Sequence, residues 1–339
     1  MYYYNILFII TASSLLLKGK LGRYLAWGGL LLMFLLTYLR SDIVGADTGN
    51  YLMYASEHRI QEYICAFFVY LIANGVLSER GLIQILAIIT YLCVALIIYR
   101  YKVNQRLFIF FFLTSNLFAA GLNVSRQVAS VAVFALFLPF IYEKKTLKSI
   151  LFFIGPLLAG GLHYSSFLLS FLYLFRYLKC SDKSLMTVII ILTPLLLFDI
   201  IPIEQILQSI VPKEYMDEYS QRLSRNEQLS ILGYGYRIIS MLFQLYIIKY
   251  IKDYNLKILF VFSILIFSAS MGLDTVVARV FMINSLIFAI VYANVFQSLD
   301  YKNSLNRIIY YFFVVFGLYF AYYGLESNST LNHYTFYFQ

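Results

Sequence analysis

Apolar runs separated by short polar turns recur from one end of the chain to the other. They lie near residues 3–17, 22–39, 62–77, 81–99, 107–122, 125–142, 149–161, 163–177, 185–203, 233–248, 258–273, 279–296 and 308–323. Runs of roughly 15 to 20 apolar residues are candidate bilayer crossings, because a helix rises about 1.5 Å per residue through about 30 Å of hydrocarbon. The pattern predicts an all-α polytopic membrane protein forming a single transmembrane domain over 1–339. Its longest polar interruptions are 40–61 and 204–232. The second contains Ile206, Leu207 and Ile210 spaced as on an amphipathic interfacial helix, and reads as a lid or substrate-guiding loop.

Charge orders these segments across the membrane. Lys18 to Arg23, Arg100 to Arg106, Lys144 to Lys148, Arg176 to Lys183, Lys249 to Lys257 and Lys302 to Arg307 carry most of the basic residues, which assigns those turns to the cytoplasmic side. A simple up-and-down path then requires 62–77 to be an interfacial or re-entrant helix on the outer side. The expected fold has about twelve crossings plus that one helix, with both termini outside. The outer side is left with nine basic residues: Arg40, Arg59, Arg80, Arg126, Arg222, Arg225, Arg237, Arg279 and Lys213. Inner lysines are explained by topology and anionic headgroups. An outer set that is almost all arginine supplies rigid forks suited to phosphate or carboxylate.

Composition removes the soluble alternatives. The chain is 61% hydrophobic and 13% charged, with 32 Tyr and 31 Phe, against a charged fraction of about a quarter in soluble domains. The net charge of +9 follows from topology and gives no case for nucleic acid. Cys65, Cys93 and Cys180 lie in or beside apolar runs and read as small core residues. Met1-Tyr-Tyr-Tyr lacks the basic start of a cleavable signal. No His, Asp or Glu grouping repeats at ligand spacing, and neither a DxD pair nor a phosphate-cradling Gly-rich loop is present. No metal and no cofactor is expected.

The unusual polar residues gather on the predicted outer side. Arg40-Ser-Asp-Ile-Val-Gly-Ala-Asp-Thr-Gly-Asn-Tyr51 follows the second apolar run, Asn123-Val-Ser-Arg-Gln127 joins the fifth and sixth, and Gly161-Leu-His-Tyr-Ser-Ser166 joins the seventh and eighth. Gly233-Tyr-Gly-Tyr-Arg237 and Asp274 to Arg279 open two later runs. Ionisable groups at a membrane boundary are costly and are candidates for function. Arg126, Arg237 and Arg279 each stand at the start of an apolar helix, where the dipole repels a cation unless an anion is also held. Snorkelling to headgroups is the plain alternative for each alone. Asp47 can cap the following turn or act chemically, and His163 can be structural or reactive.

Arg40 with Val44-Gly45-x-Asp47-Thr48-x-x-Tyr51, Asn123-x-x-Arg126-Gln127 and His163-x-Ser165 together resemble the EpsG family of Wzy-like polysaccharide polymerases. The resemblance implies a GT-C-like membrane glycosyltransferase that needs no metal. Such an enzyme joins repeat units of an O-antigen, capsule or exopolysaccharide carried on undecaprenyl pyrophosphate. It would sit in the bacterial cytoplasmic (inner) membrane with its site facing outward, with membrane lipid and a chain-length regulator as further partners. It further implies that Arg126 and Arg279, then Arg237 and Arg40, bind the pyrophosphate, with Thr48, Tyr51, Asn123 and Gln127 lining the substrate site. Asp47 or His163 would be the acceptor's base. A transporter of lipid-linked sugars, an outer-leaflet glycan ligase and a membrane O-acyltransferase are the alternatives. Transporters commonly carry internal repeats and midplane polar sites, and neither is visible here.

Overall fold

The computed structural model describes residues 1–338 apart from 46, 58–59, 198–199, 202–230, 271–281 and 327, with backbone alone described at 54–56, 146, 197, 231–237, 240 and 269–270. Among the described residues the regular elements are helices, and the single bridge, between Arg40 and Phe336, is isolated and antiparallel. They fall into two compact units, Met1–Arg176 with Phe288–Gln339, and Tyr177–Ile287. The interfacial helix and lid expected within 204–232 lie outside the described residues.

In the first unit, α1 (Tyr2–Leu16) and α2 (Gly19–Tyr38) are joined by two residues. Glycines bring their backbones together: a Cβ on Gly22 would stand 2.2 Å from Leu17 O, and one on Gly29 would stand 2.9 Å from Thr11 Oγ1. Close backbone approach through small residues is how helices associate where lipid is as apolar as the side chains. Next come α3 (Thr48–Ser56), α4 (Tyr63–Ala73), α5 (Gly81–Arg100), α6 (Gln105–Thr114), α7 (Leu117–Asn123) and α8 (Ser125–Phe137). The run then continues through α9 (Thr146–Ile150) and α10 (Ile154–Leu162), with 3-10 turns at Leu138–Tyr142 and Leu151–Phe153 and a longer 3-10 stretch at Tyr164–Tyr177. The α5 and α10 helices pack on α8, which is buried along most of its length.

Four helical stretches, Gly19–Tyr38, Gly81–Arg100, Ser125–Tyr142 and Ser304–Glu326, are long and apolar enough to cross a membrane. The α6 and α7 pair makes a fifth if its 54° bend is counted as one span. Large apolar side chains such as Leu31, Leu92, Leu96, Ile308, Val315 and Tyr319 point outward. Such faces suit lipid rather than water. The chain is a multi-pass membrane protein. The 62–77 segment forms only α4, whose 11 residues rise about 16 Å, roughly half the hydrocarbon thickness.

Polar contacts sort the ends of the first unit. At one end Arg106 Nη1 donates to Leu17 O at 2.7 Å, meeting a carbonyl at the end of α1, and Arg100 lies over the Phe140 ring at 4.6 Å. These turns are among those that charge assigned to a common side. The other end gathers the loop after α2, the α7–α8 junction and the start of α4. From Phe288 onward the α14 helix (Ile283–Ser298), and then α15 (Ser304–Glu326), belong to this unit, with Phe296 stacked on Phe111 at 5.5 Å and Gly317 against Thr114.

The second unit contains α11 (Asp182–Leu197), α12 (Ile231–Ile248) and α13 (Tyr254–Ser270). Lys257 Nζ donates to Asp182 Oδ2 at 2.8 Å, while the Tyr254 hydroxyl accepts from Cys180 N and donates to Cys180 O, each at 2.7 Å. These bonds bring together two of the turns that charge assigned to one side, those at 176–183 and 249–257.

Candidate active site

The site begins where α2 stops. Leu39 ends the helix, and the chain turns through Gly45 at a φ of +86 into α3. Position 45 needs glycine twice over. L residues rarely take that φ, and a Cβ there would stand 1.9 Å from Leu122 O. The loop thereby presses its backbone against the last turn of α7.

That approach encloses Arg40. Its side chain is fully buried: Nε donates to Thr48 Oγ1 at 3.1 Å, Nη1 to Gly121 O at 3.1 Å and Nη2 to Ser125 Oγ at 2.6 Å. Ser125 Oγ in turn donates to Gly121 O at 2.8 Å, and Thr48 Oγ1 donates to Val44 O at 2.6 Å. Arg40 thus ties the first sequence motif to the second through neutral acceptors. Burial pushes its guanidinium down to about 10, with Tyr51 opposing the fall.

One residue along α8, Arg126 makes the second connection. Its Nη1 donates to Glu62 Oε2 at 2.8 Å, and its guanidinium lies 5.0 Å from the centre of the Tyr51 ring. Arg126 is 16% exposed and Glu62 11%, so the pair is nearly but not wholly enclosed. Burial pushes the Tyr51 phenol up to about 12, with Arg126 opposing and Asp47 adding to the rise. Tyr51, Cys65, Ala129 and Leu162 belong to one buried apolar cluster, which draws α3, α4, α8 and α10 together. Gln127, the next residue of α8, is also buried, and among the described residues its Oε1 has no hydrogen-bond partner.

The third motif arrives by α10. His163 closes that helix in extended conformation and is half-buried. Its neighbours are tied on both sides: Cys65 Sγ donates to Leu162 O at 3.4 Å, the Tyr164 hydroxyl to Gln61 O at 2.8 Å, and Ser166 bonds Ser130 on α8. The turn carrying His163 is therefore anchored to the residues flanking Glu62 and to the helix that carries Arg126.

Asp47 occupies the N-cap position of α3 without a side-chain capping bond, although its backbone O accepts from Tyr51 N at 2.9 Å. Asn123 ends α7 and is half-buried. Arg237 lies on α12 in the second unit, where the backbone alone is described, and Arg279 lies outside the described residues. Among the described residues no group of three or more His, Cys, Asp or Glu could hold a metal ion.

The EpsG family pattern matches residues 2–338. The chain belongs to the EpsG family. No curated protein and no solved structure matches it. EpsG membership agrees with the motifs at Arg40 to Tyr51, Asn123 to Gln127 and His163, whose neighbourhoods the fold joins.

Two contributors escaped the sequence reading. Glu62 is a lone carboxylate heading the apolar run that becomes α4, and its position there was the available signal. The other is the segment 328–338. Ser41 N donates to Thr335 O at 2.9 Å, Gly45 N to Thr330 O at 3.1 Å, Tyr337 N to Leu39 O at 3.0 Å, and the Tyr334 hydroxyl to Leu36 O at 2.6 Å. Arg80 bonds Asp42 and Arg40 O and lies over the Tyr337 ring at 4.7 Å. The alternation of Tyr334, Phe336 and Phe338 is the period of an extended strand.

Proposed function

We propose that this EpsG protein is a polysaccharide polymerase of the GT-C-like type, with about twelve crossings in a single membrane domain. It acts at the outer leaflet of the bacterial cytoplasmic membrane on oligosaccharide repeat units linked to undecaprenyl pyrophosphate. The observation that carries this reading is the nearly enclosed guanidinium of Arg126 beside Tyr51 and Glu62, on a helix to which the turn carrying His163 is tied through Ser130 and Ser166.

In this reading a hydroxyl oxygen of the incoming unit attacks the anomeric carbon of the growing chain. The bond from that carbon to the pyrophosphate oxygen breaks, and undecaprenyl pyrophosphate leaves with the electron pair. Charge develops on the departing oxygens, so a fixed fork of donors in a dry setting lowers the barrier. Arg126 supplies that fork, with Asn123 and Gln127 on the same α7–α8 junction; Arg237 and Arg279 are the further pyrophosphate candidates that the sequence offers. Asp47 takes the proton from the attacking hydroxyl: it stands at the head of α3 and acts electrostatically on Tyr51. His163 orients the acceptor. Arg40 and Thr48 hold the loop that presents Asp47 and Tyr51.

The test is purified protein given lipid-linked repeat units alone. A polymerase yields a ladder of longer chains, which a transporter, a ligase or an O-acyltransferase does not. Arg126→Ala and Arg279→Ala are expected to abolish the ladder with normal membrane insertion; near wild-type polymer from both sinks the assignment.

A further inference from the structure

We propose that Glu62 holds the anion position of Arg126 while the site is empty, and that the donor's pyrophosphate must displace it to bind. The inference rests on reading Arg126 as the pyrophosphate site, and it adds a device that regulates entry. A guanidinium this enclosed needs a counter-ion, and carboxylate and phosphate oxygens satisfy it through the same kind of charge-assisted bond. Glu62 fills that need through one Nη1 bond of 2.8 Å. Among the described residues Arg126 Nε is buried with no hydrogen-bond partner, so the arginine keeps a donor that its present partners do not use. A ligand with several oxygens can engage both edges of the fork, where one carboxylate oxygen engages a single edge.

The displaced carboxylate also has somewhere to go. Glu62 is the N-cap residue of α4, with extended backbone, and its side chain makes no capping bond there. Its carboxylate is committed to Arg126 while the first N–H groups of α4 and the positive end of that helix stand next to it in the chain. Swinging from Arg126 to the head of α4 exchanges one favourable partner for another. The side chain therefore has two satisfied positions, and the arriving anion chooses between them.

The experiment follows thermal unfolding of the purified full chain in detergent while inorganic pyrophosphate is titrated. Glu62→Gln is expected to unfold at lower temperature than wild type without anion, since Arg126 loses its counter-ion. It is also expected to bind pyrophosphate about tenfold more tightly, because the internal competitor is gone. Arg126→Gln should show no pyrophosphate response. A merely structural Glu62 gives the lower midpoint with an unchanged pyrophosphate affinity, and that result overturns the proposal. If Glu62→Gln is poorly recovered, its yield from membranes extracted with and without pyrophosphate is compared, and a yield that pyrophosphate does not improve also overturns it. The ladder assay on wild type tests the polymerase reading separately. Tighter pyrophosphate binding by Glu62→Gln supports the competitor whether or not a ladder forms.

Discussion

At the scale of single residues, the loop after α2 is fixed by two atoms of space and one buried phenol. Gly45→Ala forces a Cβ into Leu122 O and a side chain into a left-handed φ. It is expected to cost at least about 1–3 kcal/mol and to lower the unfolding midpoint in detergent. Gly49→Ala, with open space around the new atom, should leave that midpoint nearly unchanged, and equal losses from the two would contradict the packing argument. Tyr51 supplies a pH dependence whose sign follows from burial. Its phenol titrates at 10.0 when free and is pushed up to about 12 when folded. Between these values the unfolded chain gives up the proton first, so the contribution is full below pH 10 and is lost as pH rises through 12. Arg40 contributes with the opposite sign, since its folded guanidinium releases a proton first. The difference between wild type and Tyr51→Phe isolates the phenol: the variant should lose less stability across this alkaline window. The motif residues themselves were legible, because charge and glycine stand out in an apolar chain. Their partners were not. Gly121 and Ser125 meet Arg40 from more than eighty positions away, and such pairings depend on how helices cross rather than on local pattern.

At the scale of elements, long apolar runs made most helices legible, since an unpaired backbone group cannot be left in hydrocarbon and a continuous apolar stretch must coil. Breaks within the runs were not. The run 107–122 divides into α6 and α7 at Asn116, which takes a φ of 67 and starts a 54° bend. Apolar content is the same on both sides, and only the Ser115-Asn116 pair marked the place. Asn is among the few residues that adopt this conformation readily. Asn116→Gly is therefore expected to be neutral within about 0.5 kcal/mol and Asn116→Val to cost about 1–2 kcal/mol, measured as unfolding midpoints. A similar cost for both variants would assign the role to the Asn side chain instead. The stretch Tyr164–Tyr177 was read as an ordinary helix and winds as 3-10. Apolar content suits either winding, so a hydropathy pattern does not separate them. The short helix α3 was missed because its nine residues hold an apolar run of only Tyr51 to Ala55, far short of the length that marks a crossing.

At the scale of the first unit as a whole, two stretches distant in sequence cover the loop that follows α2. The segment 328–338 lies along the loop 39–45, and Met1 N donates to Asn332 O at 3.0 Å. Tyr3 and Tyr4 pack against the Tyr334 ring at 5.6 and 5.7 Å, adding apolar cover. Three backbone hydrogen bonds hold the loop from this side and the Tyr334 hydroxyl holds the last turn of α2 before it, each worth about 0.5–1.5 kcal/mol net. Arg40 makes the opposite contacts, to Gly121 and Ser125, so the loop is gripped between the segment and the α7–α8 junction. Removing one grip leaves a buried guanidinium on a loop that no longer excludes water, and the two motifs should lose their common register. A chain ending at Glu326 is expected to insert in the membrane normally, since α15 is complete, yet to form no polymer ladder. Hydrogen exchange reads the cause directly: the amides of Ser41 and Gly45, which donate to Thr335 O and Thr330 O, should exchange faster in the shortened chain, while amides in the middle of α5 keep their protection. Unchanged protection at Ser41 and Gly45 would mean that the loop holds its shape without the segment, and any loss of polymer would then need another explanation.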